Sequence, residues 1–402
     1  MNLDWLPDNL IYVTLHGSQA YGLNNELSDV DVKGICIPPR KVENDLFCRF
    51  EQAENHPLVE EKLGHLRNPK NPKFESTIYS LRKFFLLAAN VNPNIIELLW
   101  TDPVDHFVKT PWMETLLARR NEFLSAKAKF TFSGYAYSQA AKIERHRKWI
   151  VLGDVKEPKR EDFGLPPTVA KGIDEVFGYI KSKVEEWNLN QFALEEKDRS
   201  ELKETIWDLV YTLTNKQVTW DNWPDAYAQG VTHNVKCDLS LKEEVVDLIQ
   251  KERAYFKAQT NYNSWLKWKK ERNPARRELE VKSGYDTKHA SHLVRLMRMG
   301  YEILTEGKVI VKRPDREELL FIKNGGWSYE KVMDYSKEMQ KKLDEVYKVT
   351  TLRKSVDFNY LNNLYHLLTE SIFKHHPLMN EDTEYKNHRD AMESAFGWHG
   401  QG

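Results

Sequence analysis

The chain has 402 residues, enough for two or three domains, and combines 41% hydrophobic and 30% charged residues with a mean hydropathy of −0.65. That balance, together with the lack of an apolar run long enough to span a bilayer, excludes a membrane-spanning helix. A net charge of −1 excludes a protein that coats nucleic acid through bulk charge, but it permits local basic tracks.

The N-terminal Met1-Asn2-Leu3-Asp4 has neither the basic nor the apolar region of a secretory leader. Cys36, Cys48 and Cys237 show no paired spacing and do not make a zinc set. A cytoplasmic protein in a reducing compartment is therefore expected.

The first predicted element is a strand, Leu10–Leu15, apolar and β-branched. Gly17-Ser18 follows as a tight turn into a helix start. A second strand runs over 29–37, where Val30, Val32 and Ile35 supply packing. Alternation puts Asp29 and Asp31 on one side of it. Two carboxylates held there repel each other unless a cation lies between them, and Mg²⁺ or Mn²⁺ suits hard oxygen ligands. Gly17 admits close approach of a phosphate, which Ser18 and the following N–H groups can bind. These parts together describe a metal-dependent site for a nucleoside triphosphate.

Pro38-Pro39 ends the second strand, and 67–73 reads as an exposed loop. Phe74–Tyr79 is strand-like and leads into a helix over 80–90; Ile95–Trp100 is a further buried segment that closes a β/α/β alternation near residue 110. The remainder reads as largely helical: 112–125, 138–152, 174–187, 197–216, 241–272, 287–306, 327–349 and 358–373, with a loop over 153–167 and a short strand over 308–312.

Three stretches combine cations with aromatic or polar residues. On a helix, Tyr135, Gln139, Lys142, His146 and Trp149 share one face, which suits a triphosphate or a stacked RNA strand, or forms one side of an ordinary amphipathic helix. Trp265–Arg277 interleaves tryptophans with cations; it reads as a nucleic-acid contact or as a solvated helix end. In Gly284–Leu296, Asp286 or Thr287 caps a helix, and Lys288, His289, His292 and Arg295 fall near one side of its first turns, fitting a phosphate or nucleotide or forming a satisfied structural cluster. His289 and His292 lack a third ligand and make a poor zinc site.

Leu15-His16-Gly17-Ser18 with Asp29-Val30-Asp31-Val32 resembles the signature of the DNA polymerase β-like nucleotidyltransferase superfamily. Phe132–Trp149, Lys159–Pro166 and Gly284–Gly300 look like a bacterial and phage branch of it, some members of which are associated with RNA ligases. The resemblance runs from about residue 8 to 350. It implies an α/β nucleotidyltransferase core, a mixed sheet with flanking helices, over 1–110, a larger and mostly α-helical domain over 111–375, and a flexible tail over 376–402.

It further implies two Mg²⁺ or Mn²⁺ ions held by Asp29, Asp31 and a third acid on a later strand. Glu75 fits that place, with Glu97 the alternative; the superfamily's usual residue is Asp. Gly17, Ser18, Ser28, Lys142, His146, Lys288 and His289 are the expected nucleotide-binding residues. The implied reaction moves an NMP from an NTP to an acceptor hydroxyl, an RNA end such as a tRNA. Alternatives are transfer to a protein side chain and a non-catalytic nucleotide- or RNA-binding module.

Overall fold

The computed structural model describes residues 2–45, 49–167, 243–271 and 274–375. One mixed sheet holds β1 (Leu10–His16), β2 (Val30–Cys36), β3 (Gln52–Glu54), β4 (Phe74–Ser80) and β5 (His106–Lys109) in the order β3-β4-β2-β1-β5. β2 and β4 run parallel, and the other neighbours are antiparallel.

The period of two in the sequence decides what each face of this sheet meets. Val30, Val32 and Cys36 of β2 join Val13 of β1 and Ile78 of β4 in a small core that also holds Val59 and Leu63 of the Pro57–Leu63 helix. On the opposite face Tyr12, Ile35 and Tyr79 enter the main core. That second face is apolar only at one end. At the other end its strands present His16, Asp31 and Glu75, with Thr14, Lys33 and Thr77 one step further in. The polar end is where the candidate site lies.

Helices cover the apolar end. Leu81–Ala89 starts directly after β4, and the Ser80 hydroxyl caps it by accepting from the Lys83 N–H at 3.1 Å. Thr287–Glu306 is capped by the Asp286 carboxylate, which accepts from the His289 N–H at 3.1 Å. It ends at Gly307, whose φ of +63° is the left-handed value a helix stop requires. Its apolar stripe, including Leu293, Leu296, Met297, Ile303 and Leu304, is buried in the same core as Phe84, Phe123 and Phe132. Ala128–Leu152, Arg316–Lys323, Tyr329–Val349 and Phe358–His375 pack into that core as well.

Several expectations are corrected. Ile95–Trp100 is the buried segment expected, but it adds no strand to the β/α/β alternation: Pro93–Ile96 is a helical turn that continues as a 3-10 turn, Glu97–Trp100. Asn92 caps it by accepting from the Asn94 N–H at 3.1 Å, and Pro93 occupies the first helical position. The last sheet strand is instead His106–Lys109, pairing with β1. Residues 308–312 alternate as a strand should, with Val309 and Val311 buried, yet they pair with no strand of the sheet. The predicted helices over 174–187 and 197–216 and the tail over 376–402 lie outside the described residues, as do Cys48 and Cys237.

By compactness the chain divides into Met1–Val151 with Pro274–Gly402, and Leu152–Asn273. In the second unit, the helix Glu243–Glu271 carries Tyr255, whose ring meets Phe163 at 5.7 Å and lies under Arg160 at 5.4 Å. Trp265 is buried there, stacked with Tyr262 and covered by the Lys269 ammonium. This tryptophan is a packing residue and not an open stacking platform. Among the described residues no helix is long and apolar enough to cross a membrane.

Candidate active site

Strand register sets the site. His16 of β1 stands opposite Asp31 of β2, and Asp31 stands beside Glu75 of β4, so three neighbouring strands present side chains in one row. Asp29 precedes Asp31 by two positions at the mouth of β2 and shares its side. Across from them the chain leaves β1 through Gly17, with φ of +63°, into the single turn Gly17–Ala20. A β-carbon on Gly17 would run into the Asp31 carboxylate. Glycine is thus required here twice, for its backbone angle and for the space it leaves in front of Asp31.

The electrostatics follow from this crowding. Asp31 is raised to about 6, first by burial and then by the charges of Asp29 and Glu75, with Lys288 and Lys73 offsetting part of the effect. Lys73 stands at the start of β4, with its ammonium 3.2 Å from Asp29 Oδ2 and also paired with Glu75. Those bonds, to Glu75 first, raise the Lys73 pKa. A side-chain cation already bridges two of the three carboxylates. Lys33, one step inside Asp31, donates to the Asn94 carbonyl at 3.2 Å. Burial lowers it to about 8 against the pull of Glu97 and Asp31.

Glu97 is fully buried and committed elsewhere. It accepts from Arg295 at 2.6 Å and from the Tyr21 hydroxyl at 2.6 Å, with His16 Nε2 at 3.6 Å. Burial alone would raise this carboxyl; the Arg295 guanidinium together with His16 and the Tyr21 hydroxyl outweighs it and holds the group far below the carboxylate range. Arg295 also lies over the Tyr21 ring at 3.7 Å. Burial, with Lys33 adding to it, lowers His16 to about 4, so its imidazole is neutral at pH 7. Of the two candidate third acids, Glu75 stands in the row with Asp31, and Glu97 lies beneath it in an ion pair.

The other expected residues divide. Ser28 closes its own turn: its hydroxyl accepts from the Asn25 N–H at 2.9 Å and meets Asn25 Oδ1 at 3.2 Å. Lys142 and Lys288 are exposed, and Lys288 is close enough to act on Asp31. His146 and His289 face each other between Ala128–Leu152 and Thr287–Glu306, both turned toward Asp286, while Gln139 meets His289 Nδ1 at 2.7 Å. Burial lowers His289 to about 4; Asp286, despite burial, is lowered to about 2 by His146 and His289.

Sequence reading passed over Lys33, Lys73 and the Glu97–Arg295 pair. Lys33 was open to the same alternation that selects Asp29 and Asp31. Lys73 depends on tertiary placement and carries no local signal, and Arg295, expected with the phosphate-facing cations, is instead buried in its pair with Glu97.

Comparison with known proteins agrees with this geometry. Residues 6–151 match the RlaP family, RNA repair pathway DNA polymerase beta family. The match covers the whole sheet and ends within Ala128–Leu152, and it supports the DNA polymerase β-like superfamily. An uncharacterized 38.9 kDa protein in the nrdC-mobD intergenic region of Enterobacteria phage T4 is 30% identical over 129 residues, which is 31% of this chain. The chain spans 36% of the length of that relative. No solved structure matches.

Polymerase β-like nucleotidyltransferases generally use divalent metal ions, and oxygen donors such as those of Asp29, Asp31 and Glu75 suit them by chemistry, although among the described residues the three-ligand group already within 4.8 Å of one another is His146, Asp286 and His289. All three are carboxylates, burial and then the charges of Asp29 and Glu75 raise Asp31, and Lys73 bridges Asp29 and Glu75.

Proposed function

We propose that the protein is a nucleotidyltransferase that moves an NMP from an NTP to the hydroxyl of an RNA end, with Asp29, Asp31 and Glu75 holding two Mg²⁺ or Mn²⁺ ions. The observation that carries this reading is the row in which Asp31 and Glu75 stand in register, with Asp29 at its mouth and the side-chain-free Gly17 in front. The RNA acceptor is supported by the description of the matching family, which concerns RNA repair.

In the proposed reaction the acceptor oxygen bonds to the α-phosphorus as the bridge to the β-phosphate breaks, and pyrophosphate leaves. Bound metal ions supply charge stabilisation for the attacking and leaving oxygens. The chain's own residues do the rest. Gly17 leaves room for phosphate beside Asp31, and Ser18 with the turn's N–H groups binds it. Lys73, which pairs with Asp29 and Glu75, would be able to turn to a phosphate oxygen when these carboxylates hold ions. Lys288 and Lys142 add positive charge for the triphosphate, and Glu75 is placed to take the proton of the attacking hydroxyl.

The test is incubation with each α-³²P-labelled NTP, Mg²⁺ and bulk RNA. The expected result is nuclease-sensitive label from one or a few of the nucleotides, abolished in Asp31→Ala. Label that resists nuclease and runs with protein, or equal signal from Asp31→Ala, would overturn the assignment.

A further inference from the structure

We propose that His146, Asp286 and His289 form a second cation site, selective for a transition metal of the Zn²⁺ class and separate from the carboxylate row. The sequence offers His289 with His292 and no third ligand. The fold instead sends the His292 ring against Tyr135, with centroids 5.6 Å apart, and brings His146 across from the neighbouring helix. One ligand atom from each of His146, Asp286 and His289 then lies within 4.8 Å of the others.

Hydrogen bonding identifies which atoms face the centre. His289 Nδ1 meets the carbonyl oxygen of Gln139 at 2.7 Å, so this nitrogen carries the proton and Nε2 carries the lone pair. That Nε2 is turned to Asp286 Oδ2 at 3.6 Å. An imidazole lone pair and a carboxylate oxygen are both acceptors; Asp286 Oδ2 already accepts from His146 Nδ1 at 2.8 Å, and a cation replacing that proton would join all three groups. The Gln139 contact is the outer-shell support that fixes the ring of a metal-bound histidine. Two ligands each about 2.1 Å from a tetrahedral ion stand roughly 3.4 Å apart. The 3.6 Å separation fits that with little movement, and His146 Nδ1, at 2.8 Å from the same oxygen, would open slightly on binding.

The environment fits an open three-ligand site. Asp286 is 8% exposed and its other oxygen is fixed by the His289 N–H at 3.1 Å, so the carboxylate cannot turn away. His146 and His289, 14% and 24% exposed, leave one side for water or a phosphate oxygen. Lys142 and Lys288 act on His289 from this region and oppose a cation, but both are exposed chains that can extend into solvent. Two nitrogens and one oxygen favour Zn²⁺ over Mg²⁺, which prefers an all-oxygen shell. Such an ion would pin the helix turn that carries Lys288, the lysine whose charge reaches Asp31.

The test uses the full chain with Asp31→Asn, to weaken the carboxylate site, stripped with chelator and titrated with CoCl₂ in excess Mg²⁺. The expected result is one equivalent of Co²⁺ with the visible ligand-field absorption of a nitrogen-containing site, displaced by ZnCl₂. His146→Ala and His289→Ala should weaken binding at least tenfold. His289→Gln keeps the side chain's bulk and polarity, offers no imidazole lone pair, and should lose the band while the circular dichroism is unchanged. Absence of stoichiometric Co²⁺ uptake, or an unchanged band in His289→Gln, overturns the proposal. Neither result bears on nucleotidyl transfer, which is read by label incorporation.

Discussion

Gly17 faces Asp31 with no side chain and a φ of +63°, so its replacement acts on the site directly. Gly17→Ala forces an L-residue into the left-handed region, a cost of roughly 1–2 kcal/mol, and drives its methyl into the Asp31 carboxylate. We expect a modestly lower melting temperature and a loss of label transfer of roughly a hundredfold, the scale set by misplacing a reacting group by about 1 Å. Transfer at the wild-type rate would show that the space before Asp31 is not used. Asp31 gives a second expectation. Its folded pKa of about 6 exceeds its ordinary value of 3.8, so the folded state holds the proton more tightly. The associated stability is present below pH 4 and is lost as pH rises through 6. In chelator, Asp31→Asn should therefore melt above wild type at pH 8, with the gap closing toward pH 4, whereas Mg²⁺ should raise wild type more than the variant. Calorimetry with and without Mg²⁺ at those two pH values decides it. Gly17, Asp29 and Asp31 were legible as candidates because alternation and a glycine turn are local, whereas Glu75 stood beside Glu97 as one of two alternatives. The bridge made by Lys73 was not legible, since only the parallel register of β4 against β2 brings it to Asp29.

Between elements, the fully buried Glu97–Arg295 pair joins the 3-10 turn Glu97–Trp100 to the helix Thr287–Glu306. Arg295→Met would leave Glu97 as a buried charge with the Tyr21 hydroxyl as its remaining close partner, and such losses cost about 3–5 kcal/mol. Adding Glu97→Gln should restore much of the melting temperature, because removing both charges removes the uncompensated one. A double variant no more stable than Arg295→Met would refute this account. The sequence shows why the pair was missed. An acid in Ile96-Glu97-Leu98 reads equally as a strand-end charge or a site residue, and its partner lies about two hundred positions away. The same locality explains the element errors. β1, β2, β4 and Thr287–Glu306 carry full periods and were legible, whereas β3 has three residues and β5 four, too few to show one. Residues 308–312 have the period of a strand but pair with no strand of the sheet, which composition alone does not reveal.

The family match stops at residue 151, but the core does not. Phe84, Phe123 and Phe132 share one buried cluster with Leu293, Met297, Ile303, Leu343 and Leu368. The loop after the Gly17–Ala20 turn is held from the same side: the Arg313 N–H donates to the Tyr21 carbonyl at 3.2 Å, Lys323 to Leu23 at 3.0 Å, and Arg316 to Gly22. Residues 1–151 expressed alone would expose that cluster and strand Glu97 without Arg295. A chain that buries too little apolar surface cannot offset its conformational entropy. We therefore expect the 1–151 fragment to lack a cooperative melt and to aggregate, although it contains Asp29, Asp31 and Glu75. Supplying 274–402 as a second chain should recover soluble protein, because both pieces belong to one compact unit. The measurement is size-exclusion chromatography with thermal melts of the fragment alone and co-expressed. A monomeric 1–151 with a sharp transition would mean that the helices after residue 274 are an addition to the catalytic fold; failure followed by rescue means that they complete it.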